Sequence, residues 1–247
     1  LKLKMNHKNL SNIIVKKKID LVINCAGLTS VEMCEKNKKL ALNSNTNLVK
    51  NIISSIGKND VKVIQISTDH LFSKSDNKIS ENAEVKPINY YAFTKAEAEK
   101  LLINSNLKYL ILRTNFFGDG KNNRKSYSDY IKQNIKNKKN IEIWNNIYFT
   151  PINMKFLKFI LFSMIKKNCY GIYNLSSNEK ISKYNFAKKV ANHLKLNDKL
   201  ILPKKYIQNN NFKKPQNMCL DNQKIKKIFP KIVKKFSINS QIKMLKS

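Results

Sequence analysis

The 247 residues suffice for one α/β domain with a small second lobe, and a chain this long buries enough surface to fold without a disulfide or metal staple. Hydrophobic residues, 42% of the total, recur in periodic segments along most of the length, which argues against disorder. The formal charge of +32 rests almost wholly on lysines spread over nearly every segment, with Arg113 and Arg124 the only arginines; it reads as a solvated surface rather than a dedicated nucleic-acid site, although it should draw nucleotide phosphates.

In chain order, residues 6–18 form a short helix with Asn6 as its cap. The apolar run 19–27, ending in small residues, is a buried parallel strand feeding a turn. Helical spacing of Val31, Cys34, Leu40, Ala41, Leu48, Ile52 and Ile53 predicts one helix over 31–56. A strand over 61–67, a helix from Tyr90 to about Asn104 and a strand over 109–113 follow, so the alternation gives a parallel sheet covered on both faces. After Gly118 the pattern becomes less regular: a polar loop over 120–126, a helix over 127–138 and a short strand over 141–144. Thr150 and Pro151 start a helix over 152–166, a strand runs over 171–177, and Ser182 caps a helix over 183–194. Asp221 caps a short helix and Ser237 opens the last one. The division is a domain over 1–118 and, over 119–247, mainly a C-terminal lobe.

Cys25, Cys34, Cys169 and Cys219 form no CxxC pair and have no histidine at metal-ligand spacing, so they read as reduced thiols of a cytoplasmic protein and no metal is expected. The longest apolar stretch, residues 156–165, is broken by Lys158 and is too short to span a bilayer, and no secretory leader is read.

The chemistry centres on Tyr91 and Lys95, four apart and therefore on one helical face. An ammonium beside a phenol favours the phenolate, and a tyrosine so tuned can pass a proton to a carbonyl under reduction. With 10 tyrosines and abundant lysine the spacing alone is weak, and Tyr184 and Lys188 repeat it. Context favours the first pair. Tyr91 follows by 23 residues Thr68, a hydroxyl at the C-terminal end of a predicted central strand, where parallel sheets bind ligands. Ser67 is the alternative hydroxyl, because neighbouring strand residues point to opposite faces.

The segments INCAG, ISTDHLF, YYAFTK, LRTNFFG and GIYNLSSNEKISKYNFAKKVA, in this order over nearly the whole chain, resemble the dTDP-4-dehydrorhamnose reductase family and its sugar-nucleotide-binding relatives among extended short-chain dehydrogenases/reductases. The resemblance implies a Rossmann-type parallel sheet with helices on both faces and a small C-terminal substrate lobe. It also implies NADPH- or NADH-dependent reduction of a keto-sugar on a nucleoside diphosphate, in a homodimer; on the charge and apolar-length grounds above, no specific nucleic-acid or membrane partner is expected. On the same basis Tyr91 is the proton donor, Lys95 holds the nicotinamide ribose, and Thr68 bonds the substrate carbonyl. Asp69, Asn115 and Phe116 lie towards the substrate, while Ala26, Gly27, Leu28 and Thr29 pass under the cofactor. Arg113 and Thr114 share that strand end, with a structural ion pair equally open for Arg113. Trp144, the single tryptophan, is assigned to packing.

The family pattern begins with a strand, a GxxGxxG turn and a helix, whose amides take the cofactor pyrophosphate. Five glycines in all, with Gly118 and Gly120 the only close pair, leave no such turn here, so the expectation is that the first strand and helix are missing and that the 247 residues alone bind NAD(P)H poorly. Phe116 and Phe117 depart from the family's aromatic pattern and leave the sugar open. Two rival readings remain: an epimerase or dehydratase of the same superfamily, although His70 stands where dehydratases carry glutamate, and a non-catalytic sugar-nucleotide-binding or regulatory subunit.

Overall fold

The computed structural model describes residues 7–73, 77–120, 125–208 and 213–246; the proposed cap Asn6 and part of the loop at 120–126 lie outside them. The first half of the chain runs α1 (His7–Lys16), β1 (Leu21–Asn24), α2 (Val31–Lys36), α3 (Lys38–Leu42), a π-helical turn (Asn43–Asn47), α4 (Leu48–Ile56), β2 (Lys62–Ile66), α5 (Tyr90–Ile103), β3 (Tyr109–Thr114) and β4 (Phe116–Phe117). The second runs α6 (Tyr127–Lys136), β5 (Ile141–Trp144), β6 (Tyr148–Phe149), β7 (Ile152–Asn153), α7 (Met154–Lys166), β8 (Gly171–Leu175), β9 (Ile181–Ser182) and α8 (Lys183–His193). It ends with β10 (Ile201–Lys204), β11 (Asn217–Met218), α9 (Gln223–Ile228), α10 (Pro230–Val233) and α11 (Ile238–Ile242).

The principal sheet is wholly parallel, in the order β1-β2-β3-β8. Successive residues of a strand face opposite sides, and the two sides bury different helices. Val63 and Ile111 pack with Ile14 of α1, Val49 and Ile52 of α4, and Leu102 of α5. Ile64, Leu110 and Leu112 pack with Leu157, Ile160 and Met164 of α7, Ile225 of α9 and Val233 of α10. The α/β fold with helices on both faces is therefore as expected. Strand β1 has β2 as its one partner among the described residues, and Ile23 on it is 39% exposed.

A separate apolar cluster unites α6, β5, α8, β10 and α11 around Phe117, Phe149 and Phe186. Short pairings organise it: β5 with β10, β4 with β7, and β6 between β11 and β9. Its inner end stands over the C-terminal ends of β2 and β3, and the two cores enclose a cleft there.

Three local expectations differ from the structure; in the first, α9 starts after Asn222, and Asp221 stands one residue before that cap and accepts from the Gln223 amide at 2.9 Å. The single helix over 31–56 is divided at Asn37, whose backbone is non-helical and whose side chain caps α3 by accepting from the Leu40 amide at 2.9 Å, and again by the π turn. Helix α7 starts later than the Thr-Pro pair suggests: Asn153, not Thr150, accepts from the Lys155 amide. Thr150 is buried and instead accepts from the Leu220 amide at 3.0 Å. Ser182 and Ser237 cap α8 and α11 as expected.

Candidate active site

Helix α5 brings the central pair into place. Asn89 caps it, accepting from the Ala92 amide at 2.8 Å, and Glu35 accepts from the Tyr90 amide at 2.7 Å. The helix is buried over most of its circumference, leaving one exposed stripe at Phe93, Lys100 and Ile103, with Ala92, Ala96 and Ala98 letting neighbouring elements approach closely. Tyr91 and Lys95, one turn apart, consequently point into a cleft of about 250 Å³ beyond the ends of β2 and β3.

Thr68 lines the same cleft as Tyr91, and its Oγ1 accepts from the His70 amide at 3.2 Å. Burial, with smaller contributions from Asp69 and Cys34, pushes the Tyr91 phenol well above the usual tyrosine range. The direction is opposite to the expected tuning toward phenolate, and its main cause is burial; the Lys95 ammonium donates to the Ile66 carbonyl at 2.6 Å. Lys95 is itself pushed down to about 8 by burial, against the opposing pull of Glu99 and Cys25.

Behind this pair lies a buried network. Ser67 also lines the cleft, but its hydroxyl is committed to Glu99 Oε1, to which it donates at 2.5 Å. Arg113 grips Glu99 with Nη2 at 2.7 Å and Nε at 3.1 Å, and donates through Nη1 to the Glu81 carbonyl at 3.0 Å. Arg113 thus makes the structural ion pair that the sequence left open, and with Ser67 committed to Glu99, Thr68 is the hydroxyl left available beside Tyr91.

The loop after β1 forms the opposite wall. Asn24 accepts from the Ala26 amide at 3.1 Å and donates to Gln65 at 2.8 Å. Asn45, at the centre of the π turn, accepts from the Leu28 amide at 2.8 Å and donates to the Leu28 carbonyl at 3.0 Å and to Thr94 at 2.9 Å. A π-helical insertion redirects side chains by one position, and here it carries Asn45 between the loop and α5. The contact is so close that a Cβ on Gly27 would stand 2.8 Å from Asn45 Oδ1. The cleft therefore contains Ala26, Gly27, Thr29, Thr68, Asp69, Tyr91, Lys95, Asn115 and Phe116 of the expected set. Leu28 packs away from it, near Cys34, Ala41 and Tyr91.

A second cavity of about 500 Å³ adjoins the first, and Thr29 and His70 line both. Trp144, Tyr127 and Tyr130 give it an aromatic wall, and Lys183 and Lys214 give it positive charge. The Lys183 ammonium sits 3.5 Å from the Phe149 ring centroid and is pushed down to about 8 by burial, with Asp69 opposing. Lys214 lies 4.1 Å over the Trp144 ring. Asp69 accepts from Asn115 Nδ2 at 2.8 Å, and burial raises its carboxyl to about 6. Lys183, Lys214 and Asn45 carry no sequence signal among so many lysines and asparagines; only the polar run NSNTN inside an otherwise amphipathic helix hints at Asn45, and His70 is marked only by its place after Asp69.

The second Tyr-x-x-x-Lys pair lies elsewhere: Lys188 pairs with Asp198 at 2.8 Å, and Tyr184 packs against the second core. Among the described residues no group of three His, Cys, Asp or Glu side chains is placed to hold a metal ion, and no helix is long and apolar enough to cross a membrane.

A family model described as the RmlD substrate binding domain matches residues 4–244. The chain is similar to dTDP-4-dehydrorhamnose reductase of Aggregatibacter actinomycetemcomitans, 28% identical over 247 residues that cover 91% of this chain and 80% of that one. It is also similar to the enzyme of that name from Salmonella typhimurium, 27% identical over 69% of this chain, and spans only 58% of that relative's length. The crystal structure of a dTDP-4-dehydrorhamnose reductase from Clostridium acetobutylicum superposes with a TM-score of 0.85 at 25% identity, over 96% of this chain and 84% of the other.

Proposed function

The chain belongs to the RmlD substrate binding domain family, and from that premise we propose that its cleft serves the NADPH- or NADH-dependent reduction of a keto-sugar carried on a nucleoside diphosphate. The observation that carries this reading is that Thr68, Tyr91 and Lys95 line one cleft at the end of β2, with Tyr91 and Lys95 one helical turn apart. In this reading residues 1–118 hold the cofactor and residues 119–247 mainly the substrate. That relatives of this chain are dTDP-4-dehydrorhamnose reductases supports the substrate class.

The donors present fit the nicotinamide-ribose end of such a cofactor. Lys95 retains hydrogens beyond the one given to Ile66, the Tyr91 hydroxyl lies near, and the loop Cys25–Gly27 is thin enough for a ring to lie against. The reduced nicotinamide supplies the hydride. Thr68 donates to the carbonyl oxygen as charge develops there, and Tyr91, held protonated by burial, gives that oxygen its proton. Lys95 binds the ribose hydroxyls and stabilises the tyrosinate left behind. Lys183 and Lys214, beside the aromatic wall, suit the diphosphate and base of the nucleotide. A homodimer in the cytoplasm belongs to the same proposal.

Steady-state kinetics with a dTDP-keto-sugar separate the roles. Thr68→Ala should lower kcat with little change in the KM for cofactor, because its bond strengthens only in the transition state. Lys95→Met should lower kcat and also raise the cofactor's KM. A Thr68→Ala variant altered only in KM overturns this assignment.

A further inference from the structure

The reaction as drawn leaves His70 without a task, yet its position is tightly specified. It follows Asp69 at the end of β2, its amide is tied to Thr68 Oγ1 at 3.2 Å, and its ring meets Tyr91 edge-on with centroids 5.5 Å apart. With Thr29 it joins the two cavities. Its Nδ1 is buried and has no hydrogen-bond partner. A buried N–H without an acceptor is rarer in folded proteins than an under-used lone pair, so Nδ1 carries the lone pair. Burial and the nearby Lys183 and Lys214 ammoniums, with a pKa pushed down to about 3, keep the imidazole neutral. The ring's one proton is therefore on Nε2. That nitrogen stands 4.0 Å from Asp69 Oδ1, too far for a hydrogen bond.

We propose that His70 is a specificity-determining residue, donating from Nε2 to a ring hydroxyl of the nucleotide-linked sugar whose carbonyl Thr68 and Tyr91 address. The inference rests on the reductase reading and deepens it: the donor lies at the junction of the cavity assigned to the reacting carbonyl and the cavity assigned to the nucleotide. It touches the sugar alone. Removing it should cost recognition of the sugar and leave recognition of nucleotide and cofactor intact.

Isothermal titration of the protein carrying this chain with dTDP, dTDP-rhamnose and NADPH tests it. His70→Phe keeps a ring against Tyr91 and removes the donor. It should bind dTDP-rhamnose roughly tenfold more weakly, the scale of one neutral hydrogen bond, with dTDP and NADPH affinities unchanged. His70→Gln, whose amide can donate, should recover most of the loss, and it carries the test should the phenylalanine variant fail to fold. Unchanged affinity of His70→Phe for dTDP-rhamnose, or, for a glutamine variant measured alone, a full tenfold loss, overturns the inference. An equal loss for dTDP or NADPH also overturns it, because that marks a packing role. A wild-type protein that binds NADPH but neither nucleotide ligand overturns the sugar-nucleotide reading itself, and the inference with it.

Discussion

At the residue scale the site depends on keeping one acid protonated and one base charged. Tyr91 is buried against Thr68 and stays protonated through the neutral range, while Lys95 is pushed down to about 8. A lysine is charged below its pKa, so the Lys95 ammonium proposed to bind the cofactor is present at pH 7 and is lost as pH rises through about 8. The plot of kcat/KM for NADPH against pH, which reports the free enzyme, should therefore fall with a limb near 8. Lys95→Arg should move that limb to higher pH, even at a lower rate, because the guanidinium keeps its charge. A profile that stays flat to pH 9.5 contradicts the role given to Lys95. The spacing of Tyr91 and Lys95 was legible in the sequence because helical periodicity fixes it locally. The direction in which the Tyr91 phenol shifts was not, since it depends on how deeply the folded chain buries it.

At the element scale the main sheet, α5 and the caps of α8 and α11 followed from hydrophobic period and cap chemistry. The segment 31–56 did not. Its apolar spacing is helical throughout, but Asn37 caps a new helix and the π turn swings Asn45 toward the β1 loop and Thr94. Both ends of that clasp are tertiary, 17 and 49 residues away, so no local pattern encodes it. Likewise Thr150 is drawn from capping by the Leu220 amide, which leaves Asn153 as the cap of α7. Asn45→Ala should destabilise the protein by about 1–3 kcal/mol, since it strands the buried partners of a fully used amide. Chemical denaturation measures the loss, and hydrogen exchange should show the Leu28 amide losing protection first. A variant with unchanged stability and exchange contradicts the clasp.

At the scale of the whole molecule, two cores meet at one cleft, and the positive charge surrounds both. A formal +32 on 247 residues makes the folded state repel itself. Screening shortens the range of that repulsion from about 30 Å at 0.01 M salt to about 8 Å at 0.15 M. The melting temperature should therefore rise over that interval, whereas a fold held mainly by surface ion pairs would lose stability. Thermal melts at constant pH decide between them.

The central claim is that the Thr68–Tyr91–Lys95 cleft is the reducing centre and that the second Tyr-x-x-x-Lys pair is an ordinary helix face. Its most direct test is the rate of NADPH oxidation with a dTDP-keto-sugar by the protein carrying this chain, comparing Tyr91→Phe with Tyr184→Phe. Tyr91→Phe should lower kcat by ~100-fold or more, the scale of a positioned proton donor, while Tyr184→Phe should stay within about twofold of wild type, as expected of a side chain packed in the second core. Equal losses in the two variants, or full activity in Tyr91→Phe, would contradict the account.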